Sequence, residues 1–316
     1  MVLLTKPLFR LVPDGTRIRF MNGRFAGLLV SALLSTASVI LFFYPGLNLG
    51  LDFRGGVVLQ VQTPQKVDFP ALRAALAKAG LADAALQSFG SGAGAGHGVL
   101  ISLESRRNAA ATQDAIAEAQ SALGAAAPGA KILSTQAIGA SVSRQLFSQG
   151  LEALLLSFVM ILAYIWFRFE WQFAVGAVAT LLLDTTKTIG FMVITRIPFD
   201  LVTIAAILTV IGYSTNDKVV VYDRMRENLR KYKAMPLRDL IDLSINETLN
   251  RTLGTSGTVF LAALPLALFG GTALSGFAWV MLFGIVVGTS SSIFIAAPIL
   301  LFLGRHLRGA ALAAKR

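Results

Sequence analysis

The sequence predicts an α-helical polytopic membrane protein: six transmembrane helices, with a small α+β, ferredoxin-like domain between helices 1 and 2. Three observations lead there. Hydrophobic residues make up 55% of the 316 and charged residues only 14%, where soluble domains carry about 25% charged; the mean hydropathy is +0.67. Six apolar stretches reach the length that crosses a hydrocarbon core, about 17–25 residues. Between the first two lies a polar interval of roughly 100 residues, enough for a core of its own.

Residues 1–24 carry Lys6, Arg10, Arg17, Arg19 and Arg24 and precede the first span, Phe25 to Tyr44. That run exceeds the apolar core of a signal peptide, about 7–15 residues. It ends in Tyr44-Pro45-Gly46 with no small-residue cleavage pattern. An uncleaved helix with its N-terminus inside is expected.

Residues 45–148 form the polar interval. Val57–Val61 reads as a strand, and Phe69–Ala79 as a helix with apolar Leu72, Ala75, Leu76 and Ala79 at i, i+3, i+4 and i+7. Ala85–Phe89 and Val99–Leu103 read as strands, Thr112–Leu123 as a second helix and Lys131–Ile138 as the last strand. This βαββαβ order is that of a ferredoxin-like unit. The glycine-rich Gly90–Gly96 matches neither phosphate-binding loop pattern and reads as a hairpin loop.

Residues 149–303 hold spans two to six: Leu151–Phe167, Phe173–Ile194, Leu201–Tyr222, Thr252–Phe269 and Phe277–Leu303. The polar segment 223–250 has apolar positions Leu237, Leu240, Ile241, Leu243 and Ile245 between charges. It is expected to be an amphipathic helix lying at the inner membrane surface. Residues 304–316 form a basic tail. Of the 28 Lys and Arg, 17 fall on the side that holds both termini, and the two short outer turns hold only Arg196. Both termini are therefore expected to be cytoplasmic. The net charge of +11 has the same explanation and calls for no nucleic acid. Cysteine is absent and the two histidines are far apart, so neither a metal nor a cofactor is expected.

Ionisable groups inside a span are costly and point to function. Asp217 lies about 24 Å along the fourth span at 1.5 Å per residue, with Tyr213 and Ser214 one turn before it. A lone carboxylate at that depth suits a proton carrier, and a packing device is the competing reading. Asp184 and Lys187, at i and i+3 in the third span, would pair on one face and could form a compensated cluster with Lys218. Arg251 opens the fifth span ahead of Thr252, Thr255, Ser256 and Thr258; alone it reads as a positive-inside residue. Gly284, Gly288 and the hydroxyl run Thr289–Ser292 read as close helix packing.

Two longer motifs resemble a known family. Leu51-Asp52-Phe53-Arg54-Gly55-Gly56 is similar to the (I/L)DFxGG signature of the SecF family, subunits of the bacterial Sec protein-export accessory complex in the resistance–nodulation–division superfamily. Gly212-Tyr213-Ser214-Thr215-Asn216-Asp217, continuing through Tyr222-Asp223-Arg224 to Asn228, resembles that family's GYSxNDxVVVFDRxREN signature. Lys218, and Leu183 before Asp184, depart from the usual pattern. The resemblance implies a non-enzymatic subunit of the bacterial inner membrane, with the small domain periplasmic. Its implied partners are SecD, the SecYEG translocon with YajC and the SecA-driven machinery, the unfolded polypeptide in transit and membrane lipids. Asp217 would be the protonatable carboxylate and Arg251 its partner. Two alternatives remain: a structural subunit without ion movement, which a tight Lys218–Asp217 pair would favour, and half of a small-molecule or lipid efflux transporter.

Overall fold

The computed structural model describes residues 13, 16–64, 67–89, 97–104 and 109–303. The glycine-rich loop Gly90–Gly96, the tail 304–316 and most of the N-terminal basic segment lie outside the described residues. Among the described residues six helices are long and apolar enough to cross a membrane. They are α1 (Arg24–Phe43), α5 (Ala140–Arg168), α6 (Trp171–Thr195), α7 (Leu201–Lys231), α8 (Leu237–Phe269) and a sixth made of α9 (Gly271–Ser291), a π-helical segment (Ser292–Ala296) and α10 (Ala297–Phe302). α6, α7 and the sixth span are the most buried; α1, α5 and α8 leave most of their surface open.

The external unit follows the short helix α2 (Leu51–Arg54). It comprises β1 (Gly56–Thr63), α3 (Phe69–Lys78), β2 (Ala85–Phe89), β3 (His97–Leu103), α4 (Ala109–Ala126) and β4 (Lys131–Ile138). The strands order β2-β3-β1-β4, all antiparallel, as in ferredoxin-like folds. Val57, Leu59 and Val61 alternate inward along β1 and meet Leu72 and Leu76 of α3, Val99 and Ile101 of β3, and Ile116 and Ala119 of α4.

Two boundaries differ from the sequence reading. α5 starts at Ala140, directly after β4, so the helix of the second span runs unbroken up to the sheet with no linker. The segment 223–250 is not a separate surface helix. α7 runs on to Lys231, and α8 carries Leu237 continuously into the fifth span. The stripe Ile241, Ile245 and Leu249 packs with Met225 and Tyr222 of α7 and with Met21. An amphipathic pattern records only that one face is apolar; here that face meets other helices instead of lipid.

The chain just before α1 is clipped to the same region. Ile18 exchanges two hydrogen bonds with the Asn246 side chain, of 3.0 and 2.8 Å, and Met21 N–H donates to Asp242 Oδ1 at 2.9 Å. Residues preceding the first span therefore sit beside the turn between α7 and α8.

Candidate functional site in the membrane bundle

Close packing of α7 and α9 sets the geometry. A methyl group at Gly284 would run into Val210, and one at Gly288 would meet Ser214 Cβ and Oγ at 3.0 Å. The glycines bring the two backbones together, as small residues do in membrane helices. The hydroxyls beside them do something further.

Asp184 of α6 lies at the meeting of α6, α7 and α9 with 2% of its surface exposed. Lys187 Nζ approaches its Oδ1 at 3.3 Å and Lys218 Nζ its Oδ2 at 3.1 Å. Ser214 Oγ donates to Oδ2 at 3.0 Å and Ser291 Oγ at 2.6 Å. Lys218 also donates to the Ser214 carbonyl at 3.3 Å and contacts its hydroxyl. The structure thus brings Asp184, Lys187, Lys218 and Ser214 together, and adds Ser291, for which the sequence offered only a packing role. The group sets one carboxylate against two ammonium groups, leaving one positive charge in excess, and each charged member is hydrogen-bonded, as burial of charge requires.

Asp217 differs. It is 5% exposed on α7, with Thr252 of α8 and Ser292 of the π-helical segment as its hydroxyl neighbours. Among the described residues neither Asp217 Oδ2 nor Thr252 Oγ1 has a partner in hydrogen-bonding geometry. Among the described residues Lys218 makes its ion pair with Asp184 and acts on Asp217 only through space, so the tight Lys218–Asp217 pair that would have favoured a purely structural subunit does not form. Ser214 and Tyr213 also turn elsewhere. Tyr213 donates to Ser256 Oγ at 2.9 Å, and Ser256 shares a 2.7 Å hydrogen bond with Thr289 of α9. Ser292 opens five residues of π-helix, a local rewinding frequent at functional sites. The sequence carried no signal for it.

Arg251 and Asp217 are not joined within the chain. Arg251, Thr255 and Thr258 lie exposed on α8, and Thr209, Gly212 and Asn216 lie exposed on α7. Among the described residues the Arg251 guanidinium forms no ion pair. The hydroxyl stripe of α8 is therefore split: Thr252 and Ser256 face inward, Thr255 and Thr258 outward.

Both motifs have structural work to do. Leu201 N–H, first in α7, donates to Asp52 Oδ2 at 3.0 Å, across 149 residues of chain. Asp200 caps the same helix: Thr203 N–H donates to Asp200 Oδ1 at 2.8 Å, completed by Thr203 Oγ accepting from Asp200 N–H. Burial pushes the Asp200 carboxyl above its ordinary 3.8, and nearby Asp52 adds to this against the Thr203 hydrogen bonds. Gly55, at φ +70°, has no room for a side chain: a methyl group would stand 3.0 Å from Ser143 Oγ and 3.3 Å from the Ile138 carbonyl. Gly56, at φ +117°, starts β1. The turn therefore locks the exit of α1, the external sheet and the start of α7 into one joint. At the other end, Asp223 takes Arg168 of α5 through hydrogen bonds of 3.0 and 3.1 Å. Arg224 holds Glu247 of α8 at 2.7 Å and Glu227 at 2.6 Å.

Comparison with known proteins agrees with this geometry. Residues 118–306 match the C-terminal family of the protein export membrane proteins SecD/SecF, and residues 40–67 match the SecD/SecF GG motif. The protein translocase subunit SecF of Rhodobacter capsulatus is 40% identical over 93% of this chain and 91% of its own length. That of Rickettsia akari is 43% identical over 92% and 93%. A crystal structure of SecDF from Thermus, titled a translocon-associated membrane protein, superposes with a TM-score of 0.82 at 29% identity over 92% of this chain. A SecDF structure titled as a super-membrane-facing form gives 0.62 at 30% identity over 98%. The chain spans only about two fifths of those solved chains, 39% and 41%. With a family model over residues 118–306 and relatives of 40% identity or more over nine tenths of its length, the chain belongs to the SecF family of protein translocase subunits.

Proposed function

We propose that this subunit works with a SecD partner to couple the proton-motive force to polypeptide export through the SecYEG channel, with Asp217 as the proton-carrying group. The observation that carries the reading is Asp217 itself: a buried intramembrane carboxylate without an ion pair, whose Oδ2 accepts nothing. A group held that way can exchange a proton without dismantling the bundle. Asp184 instead holds two ammonium groups and two hydroxyls in place across three spans.

The SecD partnership draws support from the surface of α7 and α8. Asn216, Thr209, Arg251 and Thr255 are exposed within helices of membrane-spanning length, and polar groups facing lipid are strongly disfavoured. A second helical subunit laid against this face would cover them and bring its own groups to Arg251. Placement in the bacterial inner membrane with cytoplasmic termini follows the distribution of Lys and Arg. The docking of Ile18–Met21 beside the basic α7–α8 turn supports it.

The test is export of a secretory precursor into inverted membrane vesicles, with and without a proton gradient. Asp217→Asn is expected to lose the gradient-dependent part while the complex still assembles. Full gradient dependence in that variant would overturn the reading.

A further inference from the structure

Asp217 is reached by only part of the polar interior, and that part is arranged in two layers. α7, α8 and α9 with its π-helical continuation each contribute one residue to each layer. The first holds Asp217, Thr252 and Ser292; the second holds Tyr213, Ser256 and Thr289. The spacing is one turn on every helix: 213 to 217, 252 to 256 and 289 to 292. α7 and α9 run away from the external domain and α8 runs toward it. The second layer therefore lies on the external-domain side of Asp217 in all three.

The layers differ in hydrogen bonding. In the second, Tyr213 Oη, Ser256 Oγ and Thr289 Oγ1 form one continuous chain with links of 2.9 and 2.7 Å. Each hydroxyl in it can accept a proton on oxygen and pass on its own. In the first, Asp217 Oδ2 and Thr252 Oγ1 are left with unused hydrogen-bonding capacity. A helical turn rises about 5.4 Å, which one bridging water spans with two ordinary hydrogen bonds of about 2.8 Å each. Tyr213 is half-buried, packs on the apolar core that holds Val210 and Val280 and adjoins the polar face of α7, where the chain would take up its proton.

Resting on the proton-coupled reading above, we infer that Tyr213, Ser256 and Thr289 are the relay that delivers protons to Asp217 from the external-domain side. The step moves one proton from hydroxyl to hydroxyl and on to the carboxylate, each oxygen gaining one as it gives one up; nothing is oxidised or reduced. The Asp184 cluster takes no part, because Ser214, Ser291 and Lys218 are committed to Asp184. Thr255 and Thr258 take no part because they face outward.

The experiment is gradient-driven export into inverted vesicles, normalised to complex content, for Tyr213→Phe, Ser256→Ala and Thr289→Val beside Asp217→Asn and the hydroxyl-preserving Thr289→Ser. Tyr213→Phe removes a single oxygen and keeps the ring, so packing is retained. The relay predicts that each hydroxyl deletion slows the gradient-driven part about tenfold or more, and that Thr289→Ser restores it. A purely structural role would give no such rescue. Loss in Asp217→Asn with undiminished rates in the three deletions would overturn the relay and leave the proton-coupled reading standing. Undiminished rates in Asp217→Asn would overturn both.

Discussion

Asp184 and Asp217 sit on adjacent helices of one bundle, 2% and 5% exposed, and their surroundings are opposite. Asp184 is saturated: two lysines and two serines from three spans converge on it. Asp217 has hydroxyls beside it and an oxygen that none of them engages. Burial alone therefore does not mark a working carboxylate in a membrane. What separates the two is whether the surrounding groups are free to follow a change of charge. Asp184 pins α6, α7 and α9 together and takes the ion pair of Lys218.

The largest expected effect breaks the saturated site. Asp184→Ala strands two buried ammonium groups, and losing one partner of a buried pair costs about 3–5 kcal/mol. It should show as loss of folded complex in detergent. The triple variant Asp184→Leu, Lys187→Met, Lys218→Met should recover most of that stability, because a well-packed apolar replacement of a buried charge set is close to neutral. Export that stays gradient-driven in the triple variant would sharpen the division of labour; loss of gradient dependence would put Asp184 in the proton path.

Crowding comes next. Gly288→Ala places a methyl group 3.0 Å from Ser214 Cβ and Oγ and should destabilise by about 1–3 kcal/mol, measured as a lower thermal midpoint. Asp52→Ala removes one of two caps on α7, worth about 1 kcal/mol, with loss of hydrogen-exchange protection confined to Leu201 and its neighbours. Asp217→Asn should change stability less than either, since no ion pair is broken.

The smallest effect concerns pH. The folded-state pKa of Asp200 is raised, so the folded protein holds that proton more tightly than the unfolded chain. Its contribution is fully present below the ordinary value of 3.8 and is lost as pH rises through the raised one. Asp200→Asn, which keeps a side-chain oxygen for Thr203, should flatten this part of the stability profile on the acid side. An unchanged profile would mean another group governs it.

Much of this architecture is legible in the residues. Alternation at Val57, Leu59 and Val61 and helical spacing at Leu72 and Leu76 specify the external unit, because each face meets a core of its own. The spans follow from apolar length. Helix ends do not: Ala140–Gln149 and Leu237–Arg251 are helical but polar enough to read as water-exposed. Nor does composition show partners brought together by the fold. Ser291 reaches Asp184 across 107 residues and Asp52 reaches Leu201 across 149. The spacing of Asp184 and Lys187 announced an intrahelical pair. It could not say that Lys218 would choose Asp184 over the neighbouring Asp217, which depends on how α6 and α7 face each other.

Proton exchange at Asp217 is open to direct observation. Infrared difference spectroscopy of the purified SecD–SecF complex on a pH jump reads this directly through the carboxyl C=O stretch. A protonation band is expected in the wild type and is expected to disappear in Asp217→Asn. The same band persisting undiminished in Asp217→Asn would contradict this expectation.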